Sequence, residues 1–228
     1  SFVVPDGSFA DVDSGDSLTY TATLADGSEL PTSWLSFDGN TKTFSGTPTN
    51  DAVGNIEVAV TATDSASASI SDTYTLTVSN TNDVPTLAGD ITGSVTEDAT
   101  TTTTTGTLTG ADVDTGDTLT YSIAETSGTY GSIAIDSATG EWTYTLSNTD
   151  TDTDALAASA SVTETFSAVV TDAAAAQSTA QTITITITGA NDAPVSAVIA
   201  DQSIAEDSTL SFVVPDGSFA DVDSGDSL

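Results

Sequence analysis

The run Thr182-Ile-Thr-Ile-Thr-Ile-Thr188 places an apolar side chain at every second position, and most of the chain is written in the same period. Leu18, Tyr20, Ala22 and Leu24 alternate with Thr; Ile56, Val58, Val60 and Ala62 repeat the scheme, as do Tyr74, Leu76 and Val78. The second half continues it through Leu119, Tyr121 and Ile123, Ile133 and Ile135, then Trp142, Tyr144 and Leu146, then Phe166, Ala168 and Val170. A period of two gives a strand one apolar and one polar face, and a β-branched hydroxyl residue suits the wet face. Strands of roughly five to eight residues, broken about every ten by Asp, Asn, Gly and Ser, predict an all-β chain of antiparallel immunoglobulin-like sandwiches. Only 154–160 and 173–176 are rich enough in Ala to suggest a helical turn, and both are too short for a stable helix.

A second feature organises these strands. Ser1-Phe-Val-Val-Pro-Asp-Gly-Ser-Phe-Ala-Asp-Val-Asp-Ser-Gly-Asp-Ser-Leu18 returns unchanged as 211–228, and Ala111-Asp-Val-Asp-Thr-Gly-Asp-Thr-Leu119 is a weaker echo between them. The sequence therefore reads as one period of a tandem array, built of two related units, followed by the opening of the next period. Asn80-Thr-Asn-Asp-Val-Pro85 and Gly189-Ala-Asn-Asp-Ala-Pro194 each follow an alternating strand, and Pro stops the ladder there. The expected division is a sandwich over 1–82 lacking its first strand, a complete sandwich over 83–193, and the opening strands of a further sandwich over 194–228. A neighbouring stretch of the array, or an adjacent subunit in a fibre, would complete the open ones.

Charge narrows the function. The 228 residues carry 34 acidic side chains against one base, Lys42, for a formal charge of -33. Such a surface repels phosphate backbones and anionic lipid, which argues against nucleic-acid and membrane-surface partners. The acidic groups are either spread over a solvated surface or gathered around cations. The chain has no Cys, so disulfides cannot stabilise it, and metal ions are the usual substitute in secreted proteins. Without an initiating Met, a signal peptide or an apolar run long enough to span a bilayer, it reads as a piece of something larger.

The order of motifs carries a resemblance. Trp34-Leu-Ser-Phe37, Thr43-Phe-Ser-Gly-Thr-Pro48, Val58-Ala-Val-Thr-Ala-Thr-Asp64 and the closing Asn80-Thr-Asn-Asp83 resemble the cadherin-like, dystroglycan-type immunoglobulin domain of bacterial surface proteins. Val95-Thr-Glu-Asp98, Gly140-Glu-Trp-Thr-Tyr144, Val169-Val-Thr-Asp172 and Ile185-Thr-Ile-Thr-Gly-Ala-Asn-Asp-Ala-Pro194 resemble the VCBS repeat. The resemblance implies tandem domains of very large secreted bacterial adhesins and biofilm proteins of the RTX type. It also implies type I secretion, an extracellular or cell-surface location, and a role as calcium-stiffened extenders.

The acidic loops point the same way on chemical grounds. Asp11-x-Asp13, Asp112-x-Asp114 and Asp221-x-Asp223 are each followed by Gly-Asp, so paired carboxylates project from a tight loop. Calcium takes about six to eight hard oxygens, which short acidic loops and backbone carbonyls supply. A seven-strand topology puts each such loop at the pole where the chain enters its domain. There it meets the loop bearing Asp64 in the first domain or Asp172 in the second, and the linker Asn and Asp residues. In cadherins, by the resemblance, a Glu-Asp pair of the preceding domain closes the shell. One expected junction thus uses Asn80, Asn82, Asp83, Asp112, Asp114 and Asp172. A second uses Glu97, Asp98, Asn191, Asp192, Asp221 and Asp223, and Asp11, Asp13 and Asp64 mark the remaining pole.

Other signals are weaker. Asp150-Thr-Asp-Thr-Asp154 opens like an EF-hand loop, but Ala155 stands where Gly is needed and Ser161 where the bidentate Glu belongs. Trp34 and Trp142 lie among apolar strand positions and are expected in the core. The Thr100–Thr105 run is expected to be an exposed strand. No Asn-x-Ser/Thr sequon and no Gly-Gly-x-Gly-x-Asp nonapeptide of calcium β-rolls occurs. The absence of His, Cys and Arg removes the ordinary nucleophile-base pairs, the usual zinc sites and guanidinium anion clamps. The expectation is a non-enzymatic extender whose partners are adjacent copies of itself. The alternatives are a carbohydrate-binding adhesin module and a matrix-fibre subunit that associates laterally.

Overall fold

The computed structural model describes residues 1–13 and 15–226, which fall into two units, Ser1–Asn82 and Asp83–Leu228. In the N-terminal unit, β1 (Phe2–Val3), β4 (Thr43–Gly46) and β3 (Leu35–Asp38) form one sheet in the spatial order β1-β4-β3. The facing sheet is ordered β2-β5-β6, from β2 (Thr19–Leu24), β5 (Gly54–Thr63) and β6 (Ser69–Val78). Tyr20 pairs with Ala62 and Val58 with Tyr74, so the apolar face of each strand points to a common core. Val4, Leu35, Phe44, Val58 and Val60 are buried there. Trp34 precedes β3 in a turn closed by its backbone N–H on the Pro31 carbonyl at 3.1 Å, where the sequence predicted a strand position. Pro31 cannot donate to a ladder, so the chain turns before the strand begins and delivers the half-buried indole onto the core from the side.

The C-terminal unit is built of β7 (Thr86–Gly89), β8 (Thr92–Thr96), β9 (Thr103–Ala111), β10 (Thr120–Ile123), β11 (Gly131–Ile135), β12 (Glu141–Leu146), β13 (Ser161–Thr171) and β14 (Gln181–Thr188). They form two four-stranded sheets, β11-β12-β9-β7 and β10-β13-β14-β8. Every pairing within them is antiparallel except β8 on β14, which is parallel. Trp142, Tyr144, Ile183, Ile185 and Ile187 are fully buried between the sheets. Each such side chain removed from water contributes about 1.5–3 kcal/mol. The Thr run enters β9 at Thr103, an inner strand between β12 and β7 with alternating exposure.

Polar contacts also cross this core, and the most buried of them centre on Glu164. Tyr144 Oη donates to Glu164 Oε2 at 2.7 Å, and the Tyr130 backbone N–H donates to Glu164 Oε1 at 2.6 Å, so the buried carboxylate has partners on both oxygens. Burial, reinforced by that carboxylate, pushes the Tyr144 phenol well above its ordinary range.

Asp150-Thr-Asp-Thr-Asp154 folds as one helical turn, α1 (Thr151–Asp154), capped by the Asp150 carboxylate accepting from the Asp152 N–H at 3.1 Å. The Ala-rich residues after Asp154 form turns, because no second turn of backbone bonds follows to propagate the helix. Beyond β14 the chain makes a short antiparallel pair, β15 (Val195–Ser196) with β16 (Phe219–Ala220), in which Val195 faces Ala220 and Ser196 faces Phe219.

Candidate metal centres

The same loop is built three times. Asp11, Asp112 and Asp221 each accept, through Oδ1, the backbone N–H two residues on, at 2.8, 2.9 and 3.1 Å. This turn holds the Asp-x-Asp pair in place. Gly15, Gly116 and Gly225 then take φ of 101°, 90° and 95°, the left-handed region in which glycine is unstrained. The reversal brings the following Asp back, with Asp16, Asp117 and Asp226 donating their N–H to the carbonyls of Asp13, Asp114 and Asp223.

Among the described residues the result is four acidic clusters, in each of which one carboxylate oxygen from every member lies within 4.8 Å of the others. Asp11, Asp16 and Asp64 form one in the N-terminal unit; Asp112, Asp117 and Asp172 form its counterpart in the C-terminal unit. Glu97, Asp154 and Asp192 form a third, and Asp221, Asp223 and Asp226 a fourth. Asp64 and Asp172 arrive on hairpin turns whose N–H groups they accept: Ala66 and Ala68 for Asp64, both at 2.8 Å, and Ala176 for Asp172 at 2.7 Å.

Asp114 is buried and joins this network by accepting the Asp83 N–H at 2.7 Å, which ties the linker Asp to the loop. Asp223 does the same for Asp192 at 3.0 Å. Asp13 is exposed although its sequence surroundings are identical to those of Asp223. Asn80, Asn82 and Asn191 are exposed at the linkers. Asp98 does not bring a carboxylate into the Glu97 cluster; its Oδ1 accepts from Asn148 Nδ2 at 2.6 Å, and its N–H donates to Asn148 Oδ1 at 2.8 Å. Three members of the clusters, Asp16, Asp117 and Asp226, are the Asp of the Gly-Asp step, a repeated signal in the sequence that lies outside the expected ligand set. The sequence places Asp154 only in the imperfect EF-hand-like loop, and no local signal joins it to Glu97 and Asp192.

The electrostatics distinguish these groups from ordinary surface acids. Burial, then the charges of Asp112, Asp172 and Asp114, raise the Asp117 carboxyl above its usual range. Burial and the neighbouring acids raise Glu97 and Asp192 in the same way. Among the described residues, Glu97 Oε1, Asp112 Oδ2, Asp114 Oδ1, Asp117 Oδ2, Asp192 Oδ2 and Asp223 Oδ1 are buried without a hydrogen-bond partner. A buried carboxylate oxygen without a donor is costly, and several aimed at one point repel one another. A hard divalent cation removes both penalties, and an all-oxygen donor set suits calcium or magnesium better than zinc or copper. The residues present fit such an ion.

Known proteins share this architecture. The bacterial cadherin-like domain family matches residues 82–189, where the sequence suggests a VCBS repeat, and the putative Ig domain family matches residues 1–79. A search of curated proteins returned no match. Among solved structures, the human CDH23 EC21-23 fragment is 17% identical over 91% of this chain and 69% of that one, with a TM-score of 0.55. The mouse cadherin-23 EC22-24 fragment is 19% identical over 78% of this chain and 56% of that one, with a TM-score of 0.52. The protocadherin GammaB4 extracellular domain is 20% identical over 91% of this chain and 32% of its own, with a TM-score of 0.56. The chain thus spans between about a third and two thirds of these neighbours, whose likeness is one of fold. Residues 1–79 thus match a putative Ig domain and residues 82–189 a bacterial cadherin-like domain, two β-sandwich families in succession along the chain.

Proposed function

We propose that this chain is an extender repeat of a secreted bacterial adhesin or surface fibre, in which calcium at the acidic poles stiffens successive β-sandwiches. The observation that carries the reading is the set of buried, partnerless carboxylate oxygens converging in the Asp112 and Glu97 clusters. Asp112, Asp117 and Asp172 would hold one ion with Asp114 beside them, and Glu97, Asp154 and Asp192 another. The two half-built groups, Asp11 with Asp16 and Asp64, and Asp221 with Asp223 and Asp226, would be completed by neighbouring periods. Bound calcium supplies positive charge that offsets the mutual repulsion of these acids.

The residues themselves do the positioning. The left-handed Gly, the Asp-x-Asp turn and the bond from the linker N–H to Asp114 or Asp223 hold the oxygens convergent before any ion arrives. Extracellular calcium modules of this kind bind at about 10⁻⁴–10⁻³ M, a range met outside cells and not in cytosol. The work is mechanical, with cell adhesion or biofilm formation as its outcome, and no catalytic step belongs to it. Small-angle scattering tests the stiffening. A longer, less flexible particle in calcium than in chelator is expected, and superimposable profiles would overturn the reading.

A further inference from the structure

Glu97 and Asp154 belong to one acidic cluster but stand on segments far apart in the sequence. Glu97 follows β8, where its N–H donates to the Thr188 carbonyl at 2.9 Å and its Oε2 accepts the Ala190 N–H at 3.1 Å. Only 1% of its surface is exposed, and Oε1 is left without a partner. Asp154 ends α1, a turn anchored from below by the fully buried Thr153 and by Leu156, which joins the apolar core. A cation takes its oxygens at about 2.3–2.6 Å, so a ligand set drawn from two such segments works only if their separation is held.

Asn148 and Asp98 make that connection. The Asp98 N–H donates to Asn148 Oδ1 at 2.8 Å, and Asn148 Nδ2 donates to Asp98 Oδ1 at 2.6 Å. One amide side chain thereby closes a two-bond clasp on the residue next to Glu97. Asp98 takes φ of 52°, a left-handed conformation that a non-glycine residue keeps when its surroundings stabilise it. The other side of the clasp leads directly into the turn: the Asp150 N–H donates to the Ser147 carbonyl at 3.0 Å, and the Asp150 carboxylate caps α1. Asn148 thus ties the backbone beside Glu97 to the base of the turn that bears Asp154.

We infer that Asn148 is a positioning residue of the Glu97, Asp154 and Asp192 cation site, acting through Asp98, and that Asp98 is its partner in the clasp and not a ligand. The inference rests on the calcium reading of this cluster and deepens it, since it assigns part of the site's affinity to an uncharged side chain outside the cluster. Removing Asn148 leaves every carboxylate and the net charge in place. A fall in affinity on its removal therefore reports geometry and not electrostatic attraction. Outer partners that orient metal ligands typically change affinity by about tenfold or more when lost.

The test is calorimetric titration of the full chain with calcium, in which the difference between the unaltered chain and Glu97→Gln defines the binding that belongs to this cluster. In Asn148→Ala that binding should weaken by about tenfold or more. Asp98→Asn removes a charge but keeps an oxygen acceptor and the N–H for Asn148, so it should stay within about a few-fold of the unaltered chain. Exchanging the two groups, Asp98→Asn together with Asn148→Asp, allows both bonds to re-form and should restore the affinity lost in Asn148→Ala. Hydrogen exchange at the Asp98 N–H should be fast in Asn148→Ala and slow in the other two variants. Unchanged calcium affinity in Asn148→Ala, even with a lowered melting temperature in chelator, overturns the inference and leaves the calcium reading standing. A loss in Asp98→Asn as large as that in Glu97→Gln makes Asp98 a ligand and overturns it too, as does failure of the exchanged pair to recover. An unaltered chain that binds no calcium overturns both readings.

Discussion

Asp192 and Asp223 are joined by a 3.0 Å hydrogen bond from the backbone N–H of the first to the carboxylate of the second, and Asp83 and Asp114 repeat it at 2.7 Å. The bond takes one oxygen of each carboxylate, and the other, Asp114 Oδ1 or Asp223 Oδ1, is left buried without a partner. The loop residue is therefore both a brace for the linker and a candidate ligand, and its roles separate by substitution. Asp114→Ala should lower the melting temperature in calcium and in chelator alike, because the Asp83 N–H loses its acceptor. Asp117→Asn, which removes a charge from the same cluster but no brace, should weaken calcium binding by about tenfold or more while leaving the chelator melt unchanged or raised.

The raised carboxyls fix the sign of the pH dependence. Glu97, Asp117 and Asp192 hold their protons more tightly in the folded chain than in the unfolded one. The stability they contribute is present at low pH and is lost as pH rises from the ordinary carboxylate range through their raised values. In chelator, melting between about pH 5 and 7 should therefore show higher stability at the acidic end from these groups, and saturating calcium should flatten or reverse that slope. Asp26, Asp38 and Asp136 act oppositely: hydrogen bonds from neighbouring loop groups lower their pKa values, so their contribution is lost only as pH falls below the ordinary range.

The buried Glu164 gives a prediction that calcium should not touch. Glu164→Ala strips the Tyr144 hydroxyl and the Tyr130 N–H of their acceptor inside the core. Urea unfolding should show a loss of about 1–3 kcal/mol, equal with and without calcium.

Strand periodicity was legible wherever a strand buries one face between two sheets, and the Ile183, Ile185 and Ile187 stripe is its plainest case. Trp34 was not, since its place depends on a turn set by Pro31 rather than on alternation. In the acidic loops the sequence displayed the Asp-x-Asp pair, but the return of Asp117 depends on the left-handed Gly116. Asp154 reaches Glu97 and Asp192 only through tertiary folding, and Asp98 is diverted by Asn148, fifty residues away. Such partnerships leave no local pattern.

Packing around Trp142 supplies a further check. Its indole N–H donates to the Asp90 carbonyl at 2.9 Å, and a Cβ at Gly106 would stand 2.5 Å from the ring carbon Cζ2. Gly106→Ala should cost about 1–3 kcal/mol in unfolding free energy through overpacking, and the near-ultraviolet circular dichroism of the tryptophan should change with it.

Calcium titration of the chelator-stripped chain by calorimetry, paired with melting at each endpoint, addresses the acidic poles most directly. Binding at about 10⁻⁴–10⁻³ M, with a rise in melting temperature that Asp117→Asn reduces, is the predicted result. An absence of binding heat together with an unchanged melt up to about 10 mM calcium, well above that range, would contradict it.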